Sequence, residues 1–133
     1  MKNKISLIIG FIILVMTGCY DRDIIDAKPG ESIDPVTNLN YTVDGNSVIL
    51  TWALPTQFPD DIILPVSLMI KVYEDDILKS TVTVADAPTT YTYDTYNADN
   101  SYRFIVKVVG EVDTDNPNVA TTRYSLGEFV VID

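Results

Sequence analysis

From Pro35 to the end of the chain, apolar and polar residues alternate in short runs, and clusters of glycine, proline, asparagine and aspartate separate these runs. Alternation with a period of two is typical of strands that bury one face, and the intervening residue types favour turns. The pattern predicts seven strands: Thr37–Val43, Ser47–Ala53, Ser67–Glu74, Leu78–Val84, Thr89–Asp94, Ser101–Val109 and Thr121–Ile132.

The spacing of these strands favours a single all-β domain. Asp44, Gly45 and Asn46 lie between the first two strands, and because these residue types tolerate positive φ they predict a tight antiparallel hairpin. A chain of 133 residues has room for one sandwich core and not for two. We therefore expect residues 35–133 to form one seven-stranded antiparallel β-sandwich.

Several segments of this region resemble the fibronectin type III family. Pro35–Leu39 looks like the first strand of that family, and Val48–Pro55 looks like the second. Tyr96 and Tyr102 have the spacing at which the family carries a leucine and its corner tyrosine, with Tyr96 in place of the leucine. The resemblance implies an immunoglobulin-like sandwich. Alternation in the second and sixth strands then assigns seven residues to its core: Val48, Leu50, Trp52, Tyr102, Phe104, Val106 and Val108.

The N-terminus has a different pattern, a short basic start followed by the apolar run Ile5–Met16. Twelve helical residues span about 18 Å, which is less than the roughly 30 Å hydrocarbon core of a membrane. Such a run is typical of a signal peptide. It ends in Met16-Thr17-Gly18-Cys19, which resembles the lipobox of bacterial lipoproteins. The resemblance implies a signal peptide at residues 1–18, a covalent lipid on Cys19, a flexible tether to residue 34, and a membrane as one partner.

Acidic residues follow the cysteine in the segment Tyr20–Asp23. This segment resembles the surface-export signal of Bacteroidetes lipoproteins, and the N-terminal half also looks like small lipoproteins of that group. The resemblance implies anchoring at the outer membrane with the domain at the cell surface. Under the alternative, the segment is a solvated linker without an export signal, and the domain faces the periplasm.

Charge and residue types exclude several kinds of chemistry. The chain has a net charge of −10 at pH 7, which disfavours nucleic acids and anionic lipid headgroups as partners. One cysteine cannot form an internal disulfide, and the chain contains no histidine. The usual zinc sites and histidine-based catalysis are therefore absent. We expect no enzymatic activity and no cofactor besides the lipid.

Acidic side chains lie in loops that this topology gathers at the tethered end of the sandwich, the connections Pro55–Pro65, Ala85–Pro88 and Gly110–Val119. Calcium prefers such oxygen ligands, although the loop around Asp113 lacks the glycine and distal glutamate of a helix-loop-helix site. The alternative is that these are solvated turn residues. The calcium candidates are Asp60, Asp61, Asp113 and Asp115.

The first of these loops also contains apolar residues. Such residues either close the end of the sandwich or offer a hydrophobic contact. They are Phe58, Ile62, Ile63 and Leu64.

Basic residues are scarce, and the predicted topology places all of those in the domain on one sheet. Strand parity directs several of them outward beside apolar neighbours, so this sheet offers a mixed basic and apolar surface. Under the alternative, the stems of lysine and arginine cover apolar surface without a partner. The predicted contact face consists of Met69, Lys71, Tyr73, Arg103, Ile105 and Lys107.

The sequence thus leaves two functions open. The first is a non-enzymatic binding or accessory module that contacts a protein or a glycan at the outer membrane. The second is a structural component of the cell envelope that assembles with other envelope proteins and binds no small ligand. A sandwich fold alone does not decide between them.

Overall fold

The computed structural model describes residues 30–133. This part of the chain forms eight strands and no helix. In chain order the strands are β1 (Thr37–Asp44), β2 (Ser47–Ala53), β3 (Ile62–Glu74), β4 (Ile77–Val84), β5 (Thr90–Tyr93), β6 (Tyr102–Val112), β7 (Thr122–Tyr124) and β8 (Glu128–Ile132).

The strands form two antiparallel sheets. The smaller sheet has the order β1-β2-β5, and the larger has the order β4-β3-β6, with β7 and β8 both paired to the outer edge of β6. The buried residues of the two sheets form one hydrophobic cluster. The predicted all-β sandwich is therefore confirmed.

The core contains every residue that alternation assigned to it. Leu50, Phe104, Val106 and Val108 are fully buried, and Trp52 is nearly so. Strand β3 lies beside β6 in the larger sheet and adds further core residues, since alternate side chains from Val66 to Val72 are buried. Because the opposite side chains of β3 and β6 point away from the core, these two central strands also define the outer face of the larger sheet.

Strand β3 begins at Ile62, earlier than the predicted start at Ser67. Proline cannot donate to a sheet ladder, so Pro65 indicated a loop. In the structure the β3–β6 register shifts between Ile63 and Ser67, and this irregularity contains Pro65. The predicted loop Pro55–Pro65 is therefore shorter, because its last residues belong to β3.

The last predicted strand is divided in two by residues 125–127. The Ser125 hydroxyl accepts a hydrogen bond from the amide of Val108 at 2.9 Å and donates one to the carbonyl of Leu126 at 2.7 Å. Gly127 lies against β6, where an added Cβ would come 2.7 Å from Cγ2 of Ile105. Polar capping and this close approach explain why β7 and β8 are separate.

The folded region includes residues that the sequence assigned to the tether. Ile33 of the predicted tether is almost completely buried, like Val36 of the predicted domain, and Cδ1 of Ile33 lies 2.8 Å from the position that a Cβ on Gly110 would take. The folded region therefore begins before the predicted boundary at residue 34. The sequence pattern does not mark this start, because Ile33 is a single apolar residue in a polar segment and has no periodicity.

A tyrosine corner forms at the start of β6. The hydroxyl of Tyr102 accepts a hydrogen bond from the amide of Asn97 at 3.1 Å and donates one to Oε1 of Glu74 at 3.1 Å. The ring of Tyr96 lies 5.1 Å from that of Tyr102, between centroids. The substitution of Tyr96 for leucine thus leaves the corner intact and adds an aromatic contact.

Candidate functional site

The six residues of the predicted contact face lie together on the outer face of the larger sheet. They occupy neighbouring positions of β3 and β6, where cross-strand pairs bring side chains within contact range. The register pairs are Met69 with Lys107, Lys71 with Ile105, and Tyr73 with Arg103. Each of the six is partly exposed, because the residues between them fill the core.

Arg103 is held against its cross-strand partner. Its guanidinium carbon lies 4.7 Å from the centroid of the Tyr73 ring, a cation–π geometry. One terminal nitrogen lies 3.9 Å from the highly exposed carboxylate of Asp76. The Nε atom is buried and lacks a hydrogen-bond partner. The arginine is therefore fixed by stacking more than by its ion pair.

The two lysines of the face differ from the remaining basic residues of the sheet. Within residues 30–133, no salt bridge involves Lys71 or Lys107. In contrast, Nζ of Lys79 lies 2.9 Å from Glu74, which raises the pKa of Lys79. The outer face therefore presents two cations that are not neutralised by a neighbouring carboxylate.

Arg123, the fifth basic residue of the sheet, is directed to the end of the sandwich where residues 30–36 lie. It donates two hydrogen bonds to the carboxylate of Asp61, at 2.9 and 2.7 Å, and one to the carbonyl of Glu31 at 3.0 Å. The hydrogen bond and charge of Arg123 lower the pKa of Asp61, and those of Asp61 raise the pKa of Arg123. This ion pair fastens the N-terminal segment to the sandwich.

The last two strands extend the outer face with apolar residues that are not part of the predicted contact face. Tyr124 pairs with Val109, Phe129 with Ile105, and Val131 with Arg103. A single uninterrupted strand would place Tyr124 and Phe129 on opposite faces, since their positions differ by five, an odd number. The break at residues 125–127 shifts the parity, and the sequence signal for it was the Ser-Leu-Gly segment. The exposed fractions are 51% for Tyr124, 79% for Leu126, 62% for Phe129 and 44% for Val131.

The calcium candidates do not form a cluster. Asp61 is bound to Arg123, and its carbonyl accepts a hydrogen bond from the amide of Asp113 at 2.8 Å. Asp60, Asp113 and Asp115 are exposed. In the part of the chain that the structure describes, no group of three or more acidic, cysteine or histidine side chains is placed to hold a metal ion.

The apolar residues of the same end divide into two pairs. Phe58 packs against the core and Ile62 is buried beside it, so these two close the end of the sandwich. Ile63 and Leu64 are exposed. A shallow depression at the same end, lined by Gly30–Glu31 and by Phe58–Asp61, is open to solvent.

Cys19 and the segment Tyr20–Asp23 lie outside the described residues, so the predicted lipid site and export signal stay predictions. Residues 30–133 contain no helix that is long and apolar enough to cross a membrane.

Comparison with known proteins identifies the fold and the family. Among solved structures, the chain resembles the extracellular region of rat CD45, domains d3-d4, with a TM-score of 0.57 and 14% sequence identity. The match covers 85% of this chain and 59% of the other, so the chain spans little more than half the length of that structure. No curated protein matches the chain. A sequence family described as a domain of unknown function, DUF4945, matches residues 19–132, and the chain belongs to this family.

Proposed function

We propose that this chain is a non-enzymatic binding or accessory module, anchored at the bacterial outer membrane through a lipid on Cys19, that contacts a protein or a glycan through the outer face of its larger sheet. The observation that supports this proposal is the composition of that face. It joins partly exposed apolar side chains to two lysines that form no salt bridge within residues 30–133, on a chain whose net charge is −10.

The fold is compatible with this role. Immunoglobulin-like sandwiches present rigid faces and loops, and their function depends on the side chains that decorate them. Contiguous exposed apolar residues are uncommon on monomeric proteins and often mark an interaction site. Beside them, lysine and arginine give an approaching partner an orientation.

The lipid on Cys19 would explain how such a module stays at a membrane. Each buried methylene contributes about 0.8 kcal/mol, and two or more acyl chains give stable anchoring where a single chain does not. Arg123 binds the carbonyl of Glu31, so the polypeptide leaves the sandwich at a fixed point. The module would therefore be held at a membrane by one end, with its sheet faces free.

Site-specific photo-cross-linking in cells tests the binding role. A benzophenone amino acid is introduced into the full-length lipoprotein at position 105, on the outer face, or at position 49 as the matched control. Ile49 is likewise partly exposed and lies on the outer side of β2, in the other sheet. We expect a discrete adduct from position 105 and none from position 49. Equal adducts from both positions, or none from either, would contradict the proposed contact face.

The anchor is tested with Cys19→Ala. We expect this variant to remain an uncleaved precursor and to take up no labelled fatty acid, because the cysteine thiol is the acceptor of the lipid. A Ser32→Ala variant provides the control for expression and export. If Cys19→Ala incorporates as much label as the wild type, the chain is not a lipoprotein and the membrane part of the proposal is wrong.

A further inference from the structure

We propose that the partner is a protein whose contact surface has an apolar centre with carboxylates along one side, and that side chains of β7 and β8 fill this centre. The inference rests on the proposed function and specifies the partner for the same site. It depends on outer-face residues of β7 and β8, whose orientation follows from the break between these two strands.

The apolar part of the site is formed by the edge of the larger sheet. Phe129 lies beside Ile105 in the register of β6 and β8, and Val131 lies beside Arg103. Phe129 is 62% exposed and Val131 is 44% exposed, and Tyr124 extends this apolar strip along β7. Aromatic side chains at the centre of an interface contribute a large share of its binding energy.

The charged part of the site lies next to this strip. Lys71 pairs across strands with Ile105, so it lies on the far side of Ile105 from Phe129. Lys107 pairs with Met69, and in residues 30–133 neither lysine forms a salt bridge. Three cations, including Arg103, thus flank one side of the apolar strip. A partner that buries the strip meets these cations at the rim, where carboxylates are their natural complement.

Other occupants fit less well. A second copy in a symmetric face-to-face contact would bring the lysines of both copies into one interface, where the like charges would repel. An anionic headgroup surface or a polyanionic glycan would match the lysines, but it would leave the apolar strip without a complement. A protein surface combines both required features.

Defined polymers test this chemistry. The full-length chain, purified in nonionic detergent, is titrated with a random glutamate–tyrosine copolymer, and the same titration is made with polyglutamate and with a lysine–tyrosine copolymer. Heparin and phosphatidylglycerol vesicles represent the polyanionic glycan and the anionic membrane. We expect the glutamate–tyrosine copolymer to bind at least about tenfold more tightly than each of the other probes, with an affinity that falls as salt is added.

Substitutions then separate the two parts of the site. The double variant Lys71→Glu, Lys107→Glu is expected to slow association with the glutamate–tyrosine copolymer about tenfold at low salt. Val131→Ser is expected to speed dissociation several-fold. Its matched control is Val43→Ser, since Val43 is 42% exposed on β1 of the other sheet and should leave both rates unchanged.

The outcomes distinguish this inference from the proposed function. If heparin or the vesicles bind most tightly, or if Val43→Ser matches Val131→Ser, the inferred partner chemistry is wrong. The cross-link from position 105 can survive either result, in which case the contact face stands and its partner is of another class. If position 105 gives no adduct in cells, the proposed function fails regardless of how the polymers bind.

Discussion

At the scale of single residues, the core depends on side chains that combine apolar bulk with one polar group. Trp52 is buried between the sheets, and its indole nitrogen donates a hydrogen bond to the carbonyl of Pro88 at 2.9 Å. Tyr102 is buried and its hydroxyl joins the amide of Asn97 to the carboxylate of Glu74. Each of these groups would be costly to bury without its partner.

Trp52→Ala is expected to lower the free energy of unfolding by about 3–5 kcal/mol, because the large cavity cannot be filled by its neighbours. Trp52→Phe should cost less, since it retains most of the packing and removes only the hydrogen bond to Pro88. Urea denaturation of each variant measures the difference. Tyr41→Ala is the control, because Tyr41 is exposed on β1 and its loss should change stability little. A cost for Trp52→Ala no larger than that of Tyr41→Ala would contradict the assignment of Trp52 to the core.

The carboxylate of Glu74 makes the stability of the fold depend on pH. Hydrogen bonds from Lys79, Asn100 and Tyr102 lower its pKa below the ordinary value of 4.5. Because the pKa in the folded state is lower than in the unfolded state, Glu74 contributes stability that is fully present above about pH 4.5 and is lost as the pH falls through the folded value. Asp61 acts in the same direction, since Arg123 lowers its pKa below 3.8.

Between pH 7 and pH 3, we therefore expect the melting temperature to fall mainly below about pH 4.5, and to fall less in Glu74→Gln than in the wild type. At neutral pH the variant should be the less stable of the two, because it loses the charge that Lys79 faces. Melting curves recorded by circular dichroism across this range measure both effects. Glu111→Gln, at an exposed position, should retain the wild-type slope. If the melting temperature of Glu74→Gln falls with pH as steeply as that of the wild type, Glu74 does not contribute to the pH dependence of stability.

At the scale of strands, features set by the local sequence pattern were predictable, whereas features set by contacts between distant residues were not. Strand positions and parity were predictable because alternation and turn residues are local, and so the six face residues on β3 and β6 were assigned correctly to one side. The break between β7 and β8 was not predictable. It arises where Ser125 caps Val108 and Gly127 approaches Ile105, and both contacts join residues that are distant in the chain.

Ser125→Ala tests the importance of this break. The variant leaves the amide of Val108 without an acceptor in a fully buried part of β6, so we expect a loss of about 1–3 kcal/mol in the free energy of unfolding. Ser101→Ala is the matched control, since Ser101 is exposed and its hydroxyl makes a long contact of 3.4 Å to Asp75. Denaturant titration compares the two variants. Equal stability of the two would mean that the Ser125 hydroxyl does not hold the break in place.

At the scale of the whole molecule, the N-terminal segment is fastened to one end of the larger sheet. Ile33 packs on β6, and Glu31 is held by Arg123, whose partner Asp61 precedes β3. The sequence could not predict this arrangement, because Asp61 and Arg123 lie far apart in the chain and Ile33 stands alone in a polar segment. The same reasoning explains the missed part of the contact face. Periodicity fixes which side of a continuous strand faces out, but not where contacts with a distant strand break the alternation.

The segment before β1 should be needed for full stability, whereas a disulfide and a metal ion should not. Residues 30–133 should fold alone and give a cooperative melt that neither a reductant nor a chelator changes, because all the core residues of the sandwich lie within this range. A chain of residues 37–133 lacks Ile33 and Val36, and each buried aliphatic side chain contributes about 1.5–3 kcal/mol, so its melting temperature should be clearly lower. Asp34→Ala in the longer chain is the control for a change in this segment without loss of a buried side chain, since Asp34 is exposed. Equal melting temperatures for the two lengths would show that the segment before β1 does not belong to the core, whereas a large drop on chelation would mean that a bound metal ion stabilises the fold.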